Sequence, residues 1–370
     1  MGGVAAYTRL VGRGLSDAGE DVHVWCPEDG KGVPGDRFAV HADLGRFRAT
    51  DLAHAGRLLD RFPGPRRLFV QWVPHGYGFR AMNVRFCWWL LNRARQGDQI
   101  ELMVHEPFFA FWEGTWKQTA AAAVHRLMTI LLLQAGQRVW VSIPAWTSMW
   151  KPYALGRPVP FRWLPIPSSL QPPDSHEVAR LRARFGAEGR SLVGHLGTYG
   201  SLVGALLGPA LAEVLRQPNP PRVVLMGLGS ENFRRAFRDR YPEQAESVTA
   251  TGSLSDSDLA TYVAACDLLI QPYPDGISSR RTSAMAGLSL GIPVVTTRGR
   301  LSELLWGESG GVRLSEVGRS QEMAAQVMEL LRHEDTRRQL GEAGRALYER
   351  TFSVSRTIDA LRSVGAERAA

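Results

Sequence analysis

Hydroxyl and guanidinium side chains stand together between residues 271 and 297, where a helix is expected to begin. The apolar run 268–270 predicts a buried strand just before them, so the helix starts at the carboxyl end of a strand, where parallel sheets bind ligands. Helix N-terminal N–H groups and arginine side chains both attract anions. We therefore predict an anion site, with phosphate as the simplest occupant. The side chains concerned are Ser278, Ser279, Arg280, Arg281 and Ser283.

The two arginines are neighbours in sequence. On one helix, side chains 280 and 281 would point about 100° apart, so we do not expect both to bind the same phosphate. An arginine–phosphate hydrogen bond contributes about 1.5–3 kcal/mol, against about 0.3–1 kcal/mol for a helix N-terminus. The arginine that faces the ligand would contribute most. The alternative is structural, with Ser279 capping the helix and both arginines solvated.

Two histidines close predicted strands in the first half of the chain. His105 ends the strand 101–105 and is followed by Glu106, and His75 follows the strand 67–72. A histidine in such a place can hydrogen-bond a substrate hydroxyl or exchange a proton with it. The alternative is a histidine that only caps a strand end, and this alternative is stronger for His75.

Glycines open two predicted helices. Gly2 and Gly3 precede a helix over 7–18, and Gly197 follows a strand, with Thr198 next to it. Glycine lets backbone N–H groups approach a phosphate or another substrate closely, and a plain tight turn is the alternative in both places. No strand is predicted before Gly2, so either the recorded start is late or the sheet lacks its first strand.

The elements that position these residues alternate between strand and helix. This rhythm predicts an α/β protein with parallel sheets. A proline-rich stretch, 152–175, marks a domain boundary. We predict a first domain over 1–165, a second over 166–350, and a helix over 351–370 that crosses back to the first. Helices are expected at 7–18, 51–62, 79–95, 116–135, 175–185, 205–215, 231–241, 256–265, 284–290, 320–332 and 335–350.

Composition excludes several classes of protein. No apolar run among the 370 residues reaches the length of a membrane span, and no basic-then-apolar leader is visible at the start. The spacing of Cys26, Cys87 and Cys266 fits neither a disulfide framework nor a zinc site. The cytoplasm is therefore the expected compartment.

The net charge of +8 comes from arginine, with lysine only at positions 31, 117 and 151. No dense basic run with interleaved aromatic residues is present, which argues against nucleic acid as a partner. Diffuse attraction to anionic lipid stays open. Nine of the 11 tryptophans lie between Trp72 and Trp163. The helix over 79–95 carries two of them, and it either packs on the sheet or lies on a membrane.

Several segments, taken in order, resemble the retaining nucleotide-sugar glycosyltransferases of the GT-B architecture. That group 1 family includes glycogen-synthase-like and mannosyltransferase-like enzymes. The most specific match is TGSLSDSDLATYVAACDLLIQPYPDG (251–276) with AMAGLSLGIPVVTT (284–297). The others are GGVAAYTRLVGRGLSDAGEDVHVW (2–25), LMVHEP (102–107), WLPIPSSL (163–170) and VGHLGTYGSL (193–202).

The resemblance implies two Rossmann-like domains that face each other across a cleft. A sugar would pass from a nucleotide-diphosphate sugar to a hydroxyl of a glycan, a lipid-linked sugar or a small molecule, with retention and without a metal or other cofactor. It implies catalytic roles for His105 and Asp275, and an acceptor site with Gly2, His75 and Glu106. It implies donor and phosphate binding by Gly3, Gly197, Thr198, Ser278, Ser279, Arg280, Arg281 and Ser283.

The chain departs from the family pattern in two places. The family's paired glutamates align with Asp275 and Ser283, and the arginine and lysine of its glycine loop align with uncharged residues in 198–201. Our hypothesis is that Arg280 or Arg281 replaces that missing pair. A catalytically inactive sugar-binding or scaffold protein is the main alternative, because the second glutamate is lost. A GT-B epimerase is a third, but it calls for paired carboxylates, which the motifs do not supply.

Overall fold

A computed structural model describes residues 3–30, 36–109, 111, 115–185 and 189–369. Gly2, a predicted acceptor residue, lies outside them. The chain divides into two compact units. Unit 1 comprises Met1–Pro165 with Thr357–Ala370, and unit 2 comprises Ile166–Arg356.

Unit 1 contains a parallel sheet in the order β3-β4-β5-β6 and a separate parallel pair, β1-β2. Its strands are β1 (His23–Trp25), β2 (Ala39–His41), β3 (Arg67–Trp72), β4 (Gln99–Val104), β5 (Arg138–Val141) and β6 (Phe161–Trp163). Its helices are α1 (Gly3–Asp17), α2 (Ala49–Leu59), α3 (Val84–Arg95), α4 (Trp116–Ala135) and α5 (Ala145–Trp150). Turns of 3-10 helix span Pro74–Tyr77, Phe79–Ala81 and Lys151–Ala154.

The central strands of unit 1 are apolar because helices cover both faces of the sheet. Ile100, Leu102 and Val104 of β4 are fully buried. One acid in this core, Glu101, accepts hydrogen bonds from Trp140 Nε1 at 2.7 Å and Arg67 Nη2 at 3.0 Å. Arg67 also donates to the carbonyl oxygen of Leu361 at 2.8 Å. The C-terminal segment is thereby attached to β3 of unit 1.

Unit 2 contains one parallel sheet in the order β12-β11-β10-β7-β8-β9. Its strands are β7 (Leu192–Leu196), β8 (Arg222–Met226), β9 (Val248–Ala250), β10 (Leu268–Gln271), β11 (Val294–Arg298) and β12 (Arg313–Glu316). Its helices are α6 (Ser175–Phe185), α7 (Ser201–Leu215), α8 (Ser230–Arg240), α9 (Asp256–Ala265), α10 (Thr282–Ser289), α11 (Leu305–Glu308), α12 (Ser320–Arg332) and α13 (Glu334–Thr351), and a 3-10 turn spans Pro242–Ser247. The last helix, α14 (Val354–Ala369), begins in unit 2 and continues in unit 1.

The order of the second sheet places its switch point between β7 and β10. The chain runs outward from β7 in one direction through β8 and β9, and in the other through β10, β11 and β12. The carboxyl ends of β7 and β10 therefore border the crevice in which doubly wound sheets bind ligands. The predicted α/β class with two Rossmann-like parallel-sheet domains is confirmed.

One predicted helix is wrong in its first part. The stretch 79–95 was expected to be a single helix, but α3 begins only at Val84, after a turn in which Arg80 has φ 54° and ψ 40°. The Asn83 side chain accepts a hydrogen bond from Phe86 N at 3.0 Å, so it caps α3 and fixes its start. Three short elements, α5, α11 and β12, were not predicted.

Candidate functional site

Two loops cross at the carboxyl end of the unit 2 sheet. One follows β10 and the other follows β11. Gly276 has φ 82°, and a Cβ built on it would lie 2.2 Å from the backbone nitrogen of Gly299. Leu301 N donates to Asp275 O at 2.9 Å, and Ile277 N to Thr297 O at 2.7 Å. The contact requires glycine at 276 and joins the two loops into one surface.

Three arginines surround one carboxylate on that surface. Arg300 Nη2 lies 2.9 Å from Asp275 Oδ1, and Arg280 Nη2 and Arg281 Nη2 lie 3.8 and 3.9 Å from Asp275 Oδ2. The side chains of Asp275, Arg280 and Arg281 are 28%, 21% and 22% exposed, so solvent reaches them. Three positive groups against one negative group leave an excess of two positive charges. Arg300 was missed by the sequence reasoning.

The expectation that Arg280 and Arg281 diverge is wrong. Both guanidinium groups approach the same oxygen of Asp275. The reason is that both residues precede the helix: α10 begins at Thr282, and Arg281 before it has φ −84° and ψ 87°. Arg281 N donates to Ser278 O at 2.9 Å, so the two arginines belong to a turn, to which the 100° rotation between helical neighbours does not apply. The two side chains can therefore bind one anion together.

Ser279 does not cap α10. Arg281 occupies the N-cap position, and Ser279 is buried beneath the loop. Glu303 accepts hydrogen bonds from Ser279 N at 3.0 Å, from the Ser279 hydroxyl, and from Trp306 Nε1 at 2.7 Å. Ile166 N donates to Ser279 O at 2.9 Å. These bonds fix the backbone that carries Arg280 and Arg281. Glu303, like Arg300, was not predicted from the sequence.

Ser283, which aligns with the family's second glutamate, forms a hydrogen bond with another hydroxyl group. Ser283 Oγ lies 2.7 Å from the Tyr273 hydroxyl. The Arg281 guanidinium carbon lies 4.6 Å from the centre of the Tyr273 ring. Burial raises the pKa of Tyr273 to about 12, so the phenol stays protonated at neutral pH. Ser278 is fully buried, and its hydroxyl has no hydrogen-bond partner within the described ranges.

The glycine loop after β7 carries no cation. Thr198 is exposed, while Tyr199, with φ 57°, turns inward and donates its hydroxyl to His195 O at 3.1 Å or Met226 O at 3.2 Å. A Cβ on Gly197 would lie 3.1 Å from His195 Nε2. His195 Nδ1 donates to Ile270 O at 2.8 Å, which joins the ends of β7 and β10. Burial lowers the pKa of His195 to about 4, so this imidazole is neutral.

Unit 1 places the two predicted histidines in different surroundings. His105 Nε2 lies 2.9 Å from Gln71 Oε1, and the Tyr7 ring packs edge-on at 4.9 Å. Burial lowers the pKa of His105 to about 4; with Nε2–H donated to Gln71, Nδ1 is the acceptor of a neutral ring. His75 and Glu106 are exposed and lie 3.6 Å apart. Gly3 is the first residue of α1, with open space where a Cβ would stand.

Across residues 3–30, 36–109, 111, 115–185 and 189–369, no three histidine, cysteine, aspartate or glutamate side chains are placed to hold a metal ion. No helix in those ranges is long and apolar enough to cross a membrane.

Comparison with known proteins gives the fold. Residues 194–333 match the family model "Glycosyl transferases group 1". Sucrose-phosphate synthase from Thermosynechococcus elongatus superposes with a TM-score of 0.74 over 99% of this chain and 93% of that chain, at 16% identity. This is the GT-B fold. HepE of Anabaena, in a complex with UDP, gives a TM-score of 0.70 over 99% of this chain and 96% of that chain, at 17% identity.

A third GT-B structure is WaaG, a glycosyltransferase involved in lipopolysaccharide biosynthesis. It gives a TM-score of 0.67 over 97% of this chain and 96% of that chain, at 14% identity. A search of curated protein sequences gave no match. The matched region 194–333 contains the whole arginine cluster and the glycine loop.

Proposed function

We propose that this protein is a glycosyltransferase that moves a sugar from a nucleotide-diphosphate sugar to a hydroxyl of a glycan, a lipid-linked sugar or a small molecule. The observation that carries the proposal is the cluster of Arg280, Arg281 and Arg300 around Asp275. It lies at the carboxyl end of the unit 2 sheet, within the region that matches group 1 glycosyltransferases.

The chemistry of transfer needs positive charge at this point. The bond between the anomeric carbon and the diphosphate oxygen breaks, and its electron pair stays on the diphosphate. The acceptor oxygen bonds to the anomeric carbon, and its proton passes to the departing phosphate. Negative charge therefore grows on the leaving group, and fixed cations beside it lower the barrier. Each arginine–phosphate contact contributes about 1.5–3 kcal/mol.

The cluster takes the place of the charges that the glycine loop lacks. Residues 198–201 are uncharged, and Tyr199 is turned inward to the ends of β7 and β8. Arg280 and Arg281 share an anion partner already, which supports their joint action on one phosphate. In this account the positive charge comes from the chain itself, and the reaction proceeds without a metal or other cofactor.

Asp275 has two roles in the proposal. Before the donor binds, its carboxylate holds the arginines together. When the donor is present, the phosphates take over Arg280 and Arg281, and the carboxylate stays beside the sugar, as the family resemblance implies. A retaining outcome follows from that resemblance and belongs to the same proposal.

The acceptor is assigned to unit 1. Burial keeps His105 neutral, and Gln71 and Tyr7 orient its ring, so Nδ1 can accept a hydrogen bond from a sugar hydroxyl. His75 and Glu106 offer an exposed polar pair at the ends of β3 and β4. Gly2 completes the predicted acceptor set, whereas Gly3 is assigned to the donor phosphates. We infer a cytoplasmic location, since Cys26, Cys87 and Cys266 are free thiols.

UDP-glucose is the first donor to try, because HepE of Anabaena was solved with UDP-glucose. The test combines thermal unfolding in the presence of UDP-, GDP- and dTDP-sugars with a measurement of nucleoside diphosphate release. Stabilisation by one donor and slow release of its diphosphate are expected, and both should be lost in the R280A/R281A variant. The exposed Arg238→Ala serves as the matched control. A chain that no donor stabilises or that releases no diphosphate would instead be the inactive scaffold.

A further inference from the structure

We propose that unit 1 binds to an anionic lipid surface through exposed residues of α3, of α4 and of the segments that precede the two helices. This aromatic–basic surface is defined by Phe79, Arg80, Arg85, Trp88, Arg95, Phe109, Phe111, Trp116 and Lys117. The proposal rests on this surface alone and does not depend on the transfer reaction.

Large rings on this surface are open to solvent. Trp116 is 76% exposed, Trp88 50%, Phe79 47%, Phe109 46% and Phe111 38%. The opposite face of α3 packs into the protein interior, where Phe86, Cys87, Leu90 and Leu91 are buried. The exposed aromatic rings are therefore not part of the hydrophobic core. Clusters of exposed apolar side chains mark interaction sites.

The separate segments meet around one histidine. His125 of α4 is buried; its Nε2 lies 2.9 Å from Ala81 O, and Phe109 N lies 3.4 Å from its Nδ1. The Arg126 guanidinium carbon lies 4.0 Å from the ring centre of Phe111. The turn that carries Phe79 and the loop that carries Phe109 are therefore neighbours on the outside of α4.

The backbone is strained at the turn that carries the exposed Phe79 ring. Phe79, Arg80 and Ala81 have φ values of 50°, 54° and 70°, a region that side chains other than glycine rarely adopt. Such strain persists only where surrounding bonds impose it, and it is concentrated at functional segments. Here His125 holds Ala81, and the following Asn83 side chain donates to Tyr77 O at 2.7 Å.

The charge of the surface selects an anionic partner. The sequences of α3 and α4 contain no aspartate or glutamate. Cations lie beside the exposed rings: Arg85 is 5.7 Å from Phe79, Arg95 5.6 Å from Trp88, and Lys117 5.9 Å from Trp116. Tryptophan and arginine together are typical of the membrane–water interface.

Nucleic acid is the weaker match for the same features. Bases bind to aromatic platforms by stacking on the ring faces. On this surface a cation lies over one face of Phe79, Trp88 and Trp116, which leaves less ring face open for stacking. Aromatic rings that insert at the membrane interface, with cations beside them at the headgroups, suit a lipid surface better than a row of bases.

The test is cosedimentation with vesicles of phosphatidylcholine, with and without phosphatidylglycerol, at low and high salt. Binding only to the phosphatidylglycerol vesicles, weakened by salt, is expected. The R85Q/R95Q variant should bind about 30-fold more weakly, since each basic residue near such a surface contributes about fivefold. W88S/W116S should also lose binding. R37Q/R238Q and Leu202→Ser change equally exposed residues elsewhere and should bind like the unmodified chain.

Several results would overturn the proposal. They are absence of binding to either vesicle, equal losses in the control variants, or binding of single-stranded DNA without binding of vesicles. Thermal unfolding of each variant shows that the chain remains folded. Nucleotide-induced stabilisation should be unchanged in R85Q/R95Q, which separates failure of the membrane proposal from failure of the transferase proposal.

Discussion

Arg300 Nη2 lies 2.9 Å from Asp275 Oδ1, across the contact between the loops that follow β10 and β11. The Arg300 side chain is 74% exposed, so this ion pair is weak and open to water. The guanidinium can exchange the carboxylate for a phosphate without any change in the core. The pair therefore links a residue that no family motif indicated to the acid that the resemblance places beside the donor sugar.

Replacing Arg300 with alanine should weaken binding of the nucleoside diphosphate by about tenfold, because one exposed charge-assisted contact is lost. Calorimetric titration with the nucleotide that gives the largest thermal shift measures the effect. Arg238→Ala, which removes an exposed arginine of α8, should bind like the unmodified chain. An unchanged dissociation constant for Arg300→Ala would remove Arg300 from the site.

Asp275→Asn should separate binding from turnover. The excess positive charge rises from two to three, because three arginines then face a neutral amide. The nucleoside diphosphate should bind more tightly, by about threefold or more, whereas the rate of sugar transfer should fall. Titration and initial-rate measurements on the same preparation test the two effects. If binding weakened, Asp275 would be a ligand of the donor and not a competitor for the arginines.

Glu303→Gln tests how the arginine loop is held. The amide of glutamine has one acceptor oxygen, whereas the Glu303 carboxylate uses two charged oxygens to accept from Ser279 and Trp306. The free energy of unfolding should therefore fall by about 1–3 kcal/mol. Nucleotide affinity should fall with it, since Arg280 and Arg281 lose their fixed backbone. Denaturant titration with and without nucleotide measures both. Glu308→Gln, at an exposed position of α11, is the control, and a similar loss there would contradict the role of Glu303.

His195 should make the stability of the chain depend on pH. Its pKa is about 4 when folded and 6.5 ordinarily, so the unfolded chain takes up a proton first as the pH falls. The stability that this histidine contributes is complete above pH 6.5 and is lost between 6.5 and 4, up to about 3 kcal/mol. His105, whose folded pKa is also about 4, contributes in the same window. His195→Asn should therefore reduce the slope of the unfolding free energy there without removing it, and the exposed His176→Asn should leave the slope unchanged. A parallel pair of curves for His195→Asn and the unmodified chain would refute the assignment.

The sequence predicted elements well where periodicity and end signals agreed. The bounds of α4 and α9 match residue for residue, and β3 matches from Arg67 to Trp72. The prediction of a helix over 79–95 was wrong in its first turn. There His125, 44 residues from Ala81 in sequence, hydrogen-bonds the Ala81 carbonyl and holds the backbone in a left-handed turn. Local spacing contains no information about such a contact.

The candidate site was predicted in part for the same reason. Arg280, Arg281 and Asp275 are close in sequence, so their motif was visible. Arg300 and Glu303 reach them through the packing of Gly276 on Gly299, which joins two loops that sequence alone leaves apart. The missing signal was the adjacency of β10 and β11: a loop after the next parallel strand ends at the same edge of the sheet.

The affinity of R280A/R281A for the nucleoside diphosphate measures whether the arginine cluster binds the phosphates of the donor. Calorimetric titration should show binding about 100-fold weaker than that of the unmodified chain, because two arginine–phosphate contacts are lost. The Arg238→Ala control should be unaffected, and both variants should unfold at similar temperatures. An affinity of R280A/R281A equal to that of the unmodified chain would show that the arginine cluster is not the phosphate site.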